Sequence, residues 1–289
     1  MTETHQQWDI VSSVGLTALG VAAARAVETH RPDPLVRDPH AAALVRAADA
    51  PAQLPTEPVG GADEHARMWA YLADRMSART RYFDEFFARV VDEGVEQAVV
   101  LASGLDTRAF RTDWPAGFRV FEIDQPAVLD FKERTLRNIG AEPRCSWHPV
   151  RADLRDDWES ALLDAGFDRT RPAAWLAEGL LSYLPAAAQQ QLLETADRLS
   201  APSSAFSLNA NRAPLQNSSH LQQAARTLGV NPRELMSAEQ RPPAEDTLAQ
   251  LGWTVRTAGV LEIGQHYGSP LEQYDDDTLN GSYFATARK

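Results

Sequence analysis

The sequence predicts an α/β fold built on a mostly parallel sheet whose two faces are covered by helices. Three observations carry this. Short apolar runs alternate with helix-patterned runs from about residue 98 onward. Four of the apolar runs end on polar or glycine residues, as strands do where they exit into loops. The C-terminal stretch GSYFATARK (281–289) alternates like an antiparallel closing strand.

The 289 residues are 44% hydrophobic and 24% charged. At about 150 residues per domain, that length suits two domains, or one large α/β domain with an insertion. The division expected is a helical extension or lid over residues 1–64 and a main domain over 65–289, with 211–245 as an inserted cap.

Within the extension, residues 11–30 form an Ala-rich helix that Pro32 and Pro34 stop. DPHAAALVRAAD (38–49) reads as a second helix, with Asp38 as its cap and Pro39 at its first position. From Pro51 to Gly61 the chain is turn-rich. The region suits a lid, a packing arm or a dimer contact equally. A long amphipathic helix then runs from His65 to about Val91, with Met68, Leu72, Met76, Phe83, Phe86, Phe87 and Val90 on its apolar side. Its length allows a bend near Ser77.

Strands follow at 98–102, at RVFEID (119–124), in a third run ending near Ala152, and at 173–177. Helices fall at 127–140 and 186–200, and a fifth strand at 204–210. Residues 211–245 are polar and contain the amphipathic segment SHLQQAARTLG. A helix at 246–252 and a strand at 253–259 resume the core before the closing strand.

Charge and composition exclude several functions. Twenty-eight basic against 40 acidic residues leave a net charge of −12. That argues against a nucleic-acid backbone binder, while leaving room for a local positive pocket. Cys145 is the sole cysteine, and no Cys/His set has zinc spacing. The N-terminus has no basic-then-apolar signal pattern, and no long uncharged apolar run suggests a membrane helix. The cytoplasm is the default expectation.

Ligands of open α/β sheets bind beyond the C-terminal ends of the strands. Gly104 lets the first exit turn tightly and approach a ligand, although turn glycines are common. Neither G-x-G-x-x-G nor G-x-x-x-x-G-K-[ST] occurs, so the pocket suits a nucleoside without phosphates better than a dinucleotide. Asp124, closing the second strand on the same face as Glu122, can accept from ribose hydroxyls or cap the helix before Pro126. Asp153 can take an exocyclic amine while Leu154 offers an apolar face; a capped loop is the alternative. Glu178 lies among Trp175, Leu176 and Leu180, where an unpaired carboxylate is costly, so it must meet a cation or an amine. Arg81 offers a planar fork for a ligand carboxylate, or else a surface ion pair. Asp106 and Arg108 can pair with each other, or Asp106 can reach an ammonium group.

LASGLDTRAFR, VFEIDQP, RADLRDDW and LAEGLLSYLP, in this order, resemble the leucine carboxyl methyltransferase-like group of S-adenosylmethionine-dependent methyltransferases. The upstream WDIVSSVGLTALGVAAARAVETHRPDPLVRDPHAAALV and RTRYFD segments resemble the actinobacterial branch of that group. The resemblance spans essentially the whole chain. It implies a Rossmann-like seven-stranded sheet of order 3-2-1-4-5-7-6 and S-adenosyl-L-methionine as cofactor. By position, it implies Arg81 and Gly104 at the methionine moiety with Asp106 nearby, Asp124 at the ribose, Asp153 and Leu154 at the adenine, and Glu178 facing both cofactor and acceptor.

The reaction this implies is a direct displacement on the sulfonium methyl, with proximity and orientation as the protein's main contribution. A carboxylate acceptor needs no base; a hydroxyl acceptor does, and His220, His266, Tyr183 and Glu178 are the candidates. Glu178 and Tyr183 are the catalytic choices. Trp114, Trp147 and Trp175 read as core or rim. O-methylation of a small-molecule carboxylate or hydroxyl is the preferred reading, with no nucleic acid, no membrane insertion, no metal, and room for a homodimer. The alternatives are methylation of a protein C-terminal carboxylate and a silent homologue that binds cofactor without turnover. A dinucleotide-dependent oxidoreductase is disfavoured by the missing glycine loop.

Overall fold

The computed structural model describes residues 13–50, 53–212, 218–231, 235–237, 239–274 and 276–289. Seven strands form one sheet: β1 (Gln97–Leu101), β2 (Arg119–Asp124), β3 (Ser146–Arg151), β4 (Ala174–Ala177), β5 (Ala205–Asn211), β6 (Thr254–Gly259) and β7 (Ser282–Arg288). Their order is β3-β2-β1-β4-β5-β7-β6. Strands β1 to β5 pair in parallel, and β7 runs antiparallel between β5 and β6.

Burial explains the strand sequences. Central β1 and β4 are buried at every position, and apart from Gln97 they read as the apolar runs AVVL and AWLA. Alternate residues of β1 enter different cores: Ala98 and Val100 join one cluster, Val99 and Leu101 the other. Edge strand β3 tolerates Pro149, whose missing N–H would break a ladder in the sheet centre.

The helices in chain order are α1 (Ser13–Thr29), α2 (Ala41–Ala47), α3 (Glu64–Asp92), α4 (Arg108–Arg111), α5 (Pro126–Asn138), α6 (Trp158–Asp164), α7 (Ala186–Arg198), α8 (Ser219–Leu228), α9 (Ala244–Gln250), α10 (Val260–Tyr267) and α11 (Asp277–Gly281). Helix α3 is continuous through Ser77. The Ser77 hydroxyl donates to the Asp74 carbonyl at 3.0 Å, and the helix runs on. Its start is fixed by the Asp63 carboxylate, which accepts from the Ala66 N–H at 2.8 Å. Among the described residues, no helix is long and apolar enough to cross a membrane.

The Ala-rich N-terminal run packs rather than projects. Leu19, Ala22, Ala23 and Ala24 of α1 are fully buried in the cluster that also holds the apolar face of α3. Helix α2 is shorter than the expected 38–49, and Pro39 lies ahead of it. Asp38 still serves its start: Oδ1 accepts from the N–H groups of His40 and Ala41, both at 3.1 Å. Its other oxygen takes Arg25 Nε at 2.8 Å and the Thr107 hydroxyl at 2.7 Å. Arg25 Nη2 goes on to the Leu105 carbonyl at 2.6 Å, so α1 is clamped to the loop that follows β1. Of residues 211–245, the stretches 213–217, 232–234 and 238 lie outside the described residues. Helix α8, in between, packs across α1 and α3. Helices α6 and α10 were not foreseen in the sequence.

Candidate active site

Two adjoining cavities open over the C-terminal ends of β1, β2 and β4. The larger, about 470 Å³, has a floor of strand-exit loops: Ala102–Asp106 after β1, Asp124 and Gln125 after β2, Ala152–Arg155 after β3, and Glu178–Leu180 after β4. Helix α1 roofs it with Gly15, Thr17, Ala18 and Val21. The smaller, about 170 Å³, lies between α1, α3, α8 and the ends of β5 and β7. Thr17, Val21, Arg79, Gly179, Tyr183 and Leu235 border both.

The β1 exit turns through two left-handed residues, Ala102 at φ 50° and Gly104 at φ 51°. Ala102 pays the steric cost of that conformation, and Gly104 avoids it. A Cβ on Gly104 would also stand 3.4 Å from the Ala18 Cβ in the roof. The Gly104 N–H donates to Asp124 Oδ2 at 2.6 Å, while Oδ1 accepts from the Gln125 N–H at 2.7 Å. Asp124 thus ties two strand exits together. Burial raises its pKa above the ordinary carboxylate value, against the pull of these two N–H groups.

Arg108, almost wholly buried, organises the other side. It donates from Nε to Asp84 at 2.7 Å, and from Nη1 to Asp106 and, at 2.9 Å, to Glu178. The opposite oxygen of Glu178 accepts from Arg79 Nε at 2.8 Å. Burial alone would push these carboxylates up, but the guanidinium groups outweigh it. Asp106 is brought down to about 2, and Glu178 and Asp84 are also lowered.

Gly104, Asp106, Asp124, Asp153, Leu154, Glu178 and Tyr183 all line the larger cavity. Arg81 does not. Its side chain is 47% exposed, donating to Glu85 one turn along α3 at 2.9 Å. Arg81, expected to face the ligand, thus lies outside both cavities, and Arg79, two residues earlier, borders both. Two residues on a helix are about 200° apart, so only one of this pair can face the sheet. Asp153 is held by Arg155 and by Gln125 Nε2, the latter at 3.0 Å. Sequence reasoning also missed Arg25, Ser103 and Arg75. The Ser103 hydroxyl is buried beside the cavity and meets no hydrogen-bond partner among the described residues.

Neither catalytic choice is arranged as a base. Both oxygens of Glu178 are held by guanidinium groups, which keep it ionised and weakly basic. Burial pushes the Tyr183 phenol up, and its hydroxyl donates to Thr17 Oγ1 at 3.4 Å. His220 stacks on Tyr71 and His266 lies against Tyr267; neither lines either of these two cavities, nor do Trp114, Trp147 and Trp175.

A family model described as leucine carboxyl methyltransferase matches residues 18–197. A protein of Saccharopolyspora erythraea named "Putative S-adenosyl-L-methionine-dependent methyltransferase" is 50% identical over 92% of both chains. A protein of the same name from Mycobacteroides abscessus is 42% identical over 100% of both. A crystal structure of "a putative methyltransferase" from Thermobifida fusca aligns over 95% of this chain and 97% of its own, at 18% identity and a TM-score of 0.49. The chain belongs to the leucine carboxyl methyltransferase family of S-adenosyl-L-methionine-dependent methyltransferases.

Proposed function

We propose that this family member transfers a methyl group from S-adenosyl-L-methionine to the carboxylate of a small molecule, giving a methyl ester. One observation carries the choice of acceptor. The described wall of the smaller cavity has two arginines, Arg75 and Arg79, but no His, Asp, Glu, Lys or Cys to accept a proton. A hydroxyl acceptor needs such a group; a carboxylate arrives already ionised.

The larger cavity fits the cofactor by its own chemistry. Among the described residues the buried Ser103 hydroxyl meets no hydrogen-bond partner, and Gly104 leaves beneath the roof the space that a Cβ would fill. Arg79 would take the carboxylate of the amino-acid tail, with Glu178 and Asp106 near its ammonium. Asp124 would accept from the ribose hydroxyls, and Leu154 and Val128 would flank the base, with Asp153 at its edge. These residues would hold the cofactor, which would supply a sulfonium methyl group for transfer.

The protein contributes position and exclusion. Arg25 bonds Asp38 and the Leu105 carbonyl, which holds α1 over the β1 loop. Asn209 Oδ1 accepts from the Gly179 N–H at 2.8 Å, fixing the turn where the cavities join. Tyr183 keeps its proton and forms part of that junction. No residue needs to change protonation during transfer.

The test is incubation of the purified protein with methyl-labelled S-adenosyl-L-methionine and a library of small acids, alcohols and amines, with label followed into base-labile esters. Labelled esters from acids alone are expected. Label appearing only in ethers, amines or a peptide C-terminus would overturn the acceptor class.

A further inference from the structure

Arg75 stands apart from the other arginines of this cleft. Arg25, Arg79, Arg108 and Arg111 each hold a carboxylate at 2.9 Å or closer. Arg75 borders the smaller cavity, and its two partners are neutral hydroxyls: Nη1 donates to Tyr71 at 2.7 Å and Nη2 to Ser282 at 3.1 Å. Among the described residues, no carboxylate lies within the 4.0 Å that defines an ion pair. The Tyr71 hydroxyl donates a hydrogen bond to Asp276 Oδ2 at 2.6 Å, which anchors the arrangement from behind. Each terminal nitrogen of a guanidinium bears two N–H groups, so both retain a donor after these bonds.

An uncompensated guanidinium beside an apolar wall is costly, and an anionic ligand relieves the cost. The wall is apolar: Leu72, Met76, Leu221, Leu228 and Phe284 surround the space that Arg75 borders. Arg75 precedes Arg79 by one turn of α3, so both line the smaller cavity, and Arg79 also borders the larger one. We infer that Arg75 binds the reacting carboxylate of an apolar monocarboxylic acid, whose hydrocarbon part lies against α8.

This inference rests on the carboxylate reading above and adds the recognising residue and the character of the acid. One carboxylate oxygen is held by Arg75, leaving the other to form the new bond to the methyl carbon as the sulfur–methyl bond breaks. The sulfur keeps that electron pair and becomes a neutral thioether. No proton moves, and the ester is neutral. The product then lacks the charge that Arg75 recognised, which favours its release.

The probes are octanoate and phenylacetate, with octanol and octanamide as controls. The wild-type protein should form both methyl esters and leave the controls unmodified. Arg75→Gln should raise KM for the acids about tenfold or more, as expected when a charged hydrogen bond is lost. Its affinity for S-adenosylhomocysteine by calorimetry should stay within about twofold, because the residue borders only the other cavity. Arg75→Lys should recover part of the KM loss, which repair of a merely structural contact would not do. Thermal unfolding checks both variants, and the Lys variant carries the test if the Gln variant fails to fold. A folded Arg75→Gln protein with unchanged KM would overturn the inference. So would methylation of octanol, or a protein that binds the cofactor but neither acid. Failure to bind S-adenosyl-L-methionine at all would remove the underlying reading as well.

Discussion

Around the larger cavity, the single guanidinium of Arg108 meets three carboxylates, and Asp124 is tied to two backbone N–H groups. Around the smaller, apolar side chains from α3, α8 and β7 face an arginine that no carboxylate answers among the described residues. The first is made of strand-exit loops whose polar atoms hold one another in place. Such a site is preorganised for a ligand of fixed structure. The second is made largely of helix faces, whose side chains can change without disturbing those loops. Under the proposed function, the first would hold the cofactor and the second would choose the acceptor.

Breaking the charged network should have the largest effect. Arg108→Met leaves Asp84, Asp106 and Glu178 buried without their shared cation. A loss of about 3–5 kcal/mol is expected for such an uncompensated site, measured by urea unfolding. An intact unfolding midpoint would show the network to be incidental.

Acid should attack the same network. Asp106 has its pKa lowered to about 2 in the fold, because its ion pair with Arg108 outweighs burial. A carboxylate depressed on folding contributes stability that is complete above its unfolded value, near 3.8, and is lost as pH falls through the folded one. Asp84 and Glu178, also lowered, act in the same direction. Asp124 and Glu122, raised by burial, act in the opposite one. Asp106→Asn should therefore flatten the decline in urea midpoint below about pH 4. An unchanged pH profile would disprove the coupling.

Glu178→Gln separates binding from base chemistry. Loss of a charged partner at the cofactor tail should weaken S-adenosyl-L-methionine binding by about tenfold. Full cofactor affinity with a collapsed kcat would instead make Glu178 a base and favour a hydroxyl acceptor. Calorimetry and steady-state kinetics on one preparation distinguish the two.

Gly20→Ala probes the boundary where the helices touch. A Cβ there would meet Leu228 Cδ1 at 3.0 Å, and the leucine must shift within the smaller cavity. An acceptor KM change of about two- to fivefold is expected, with cofactor affinity unchanged, since the crowding is confined to one wall. Equal effects on both ligands would mean that α1 transmits strain between the cavities. The smallest effect belongs to Arg81→Ala. An exposed ion pair with Glu85 contributes less than about 1 kcal/mol, and cofactor affinity should be unaltered. A marked loss of affinity would return the clamp to Arg81.

Strand exits were legible because the relevant contrast is local. VFEID passes from buried β-branched and aromatic residues to a carboxylate at the sheet's end, and AWLAEG does the same for β4. The choice between Arg79 and Arg81 was not legible. Both are cations two residues apart on one amphipathic helix, and only docking on the sheet decides which turns inward. Helix α10, VLEIGQHY, was missed because it is short and follows β6 without a break. Arg75 carried no local signal: its significance lies in its pairing with Ser282, 207 positions away, and in its having no carboxylate partner among the described residues.

By itself the sequence determined the strand-and-helix alternation, the antiparallel closure, the family and the carboxylates at the strand exits. These follow from periodicity and from residue types within a few positions of one another. The tertiary structure alone decided which arginines face the cleft, that Glu178 is held by two of them, and that α1 roofs one cavity while walling the other. Those outcomes depend on groups brought together across the whole chain, where burial and electrostatic pairing, rather than local pattern, set the state of each side chain.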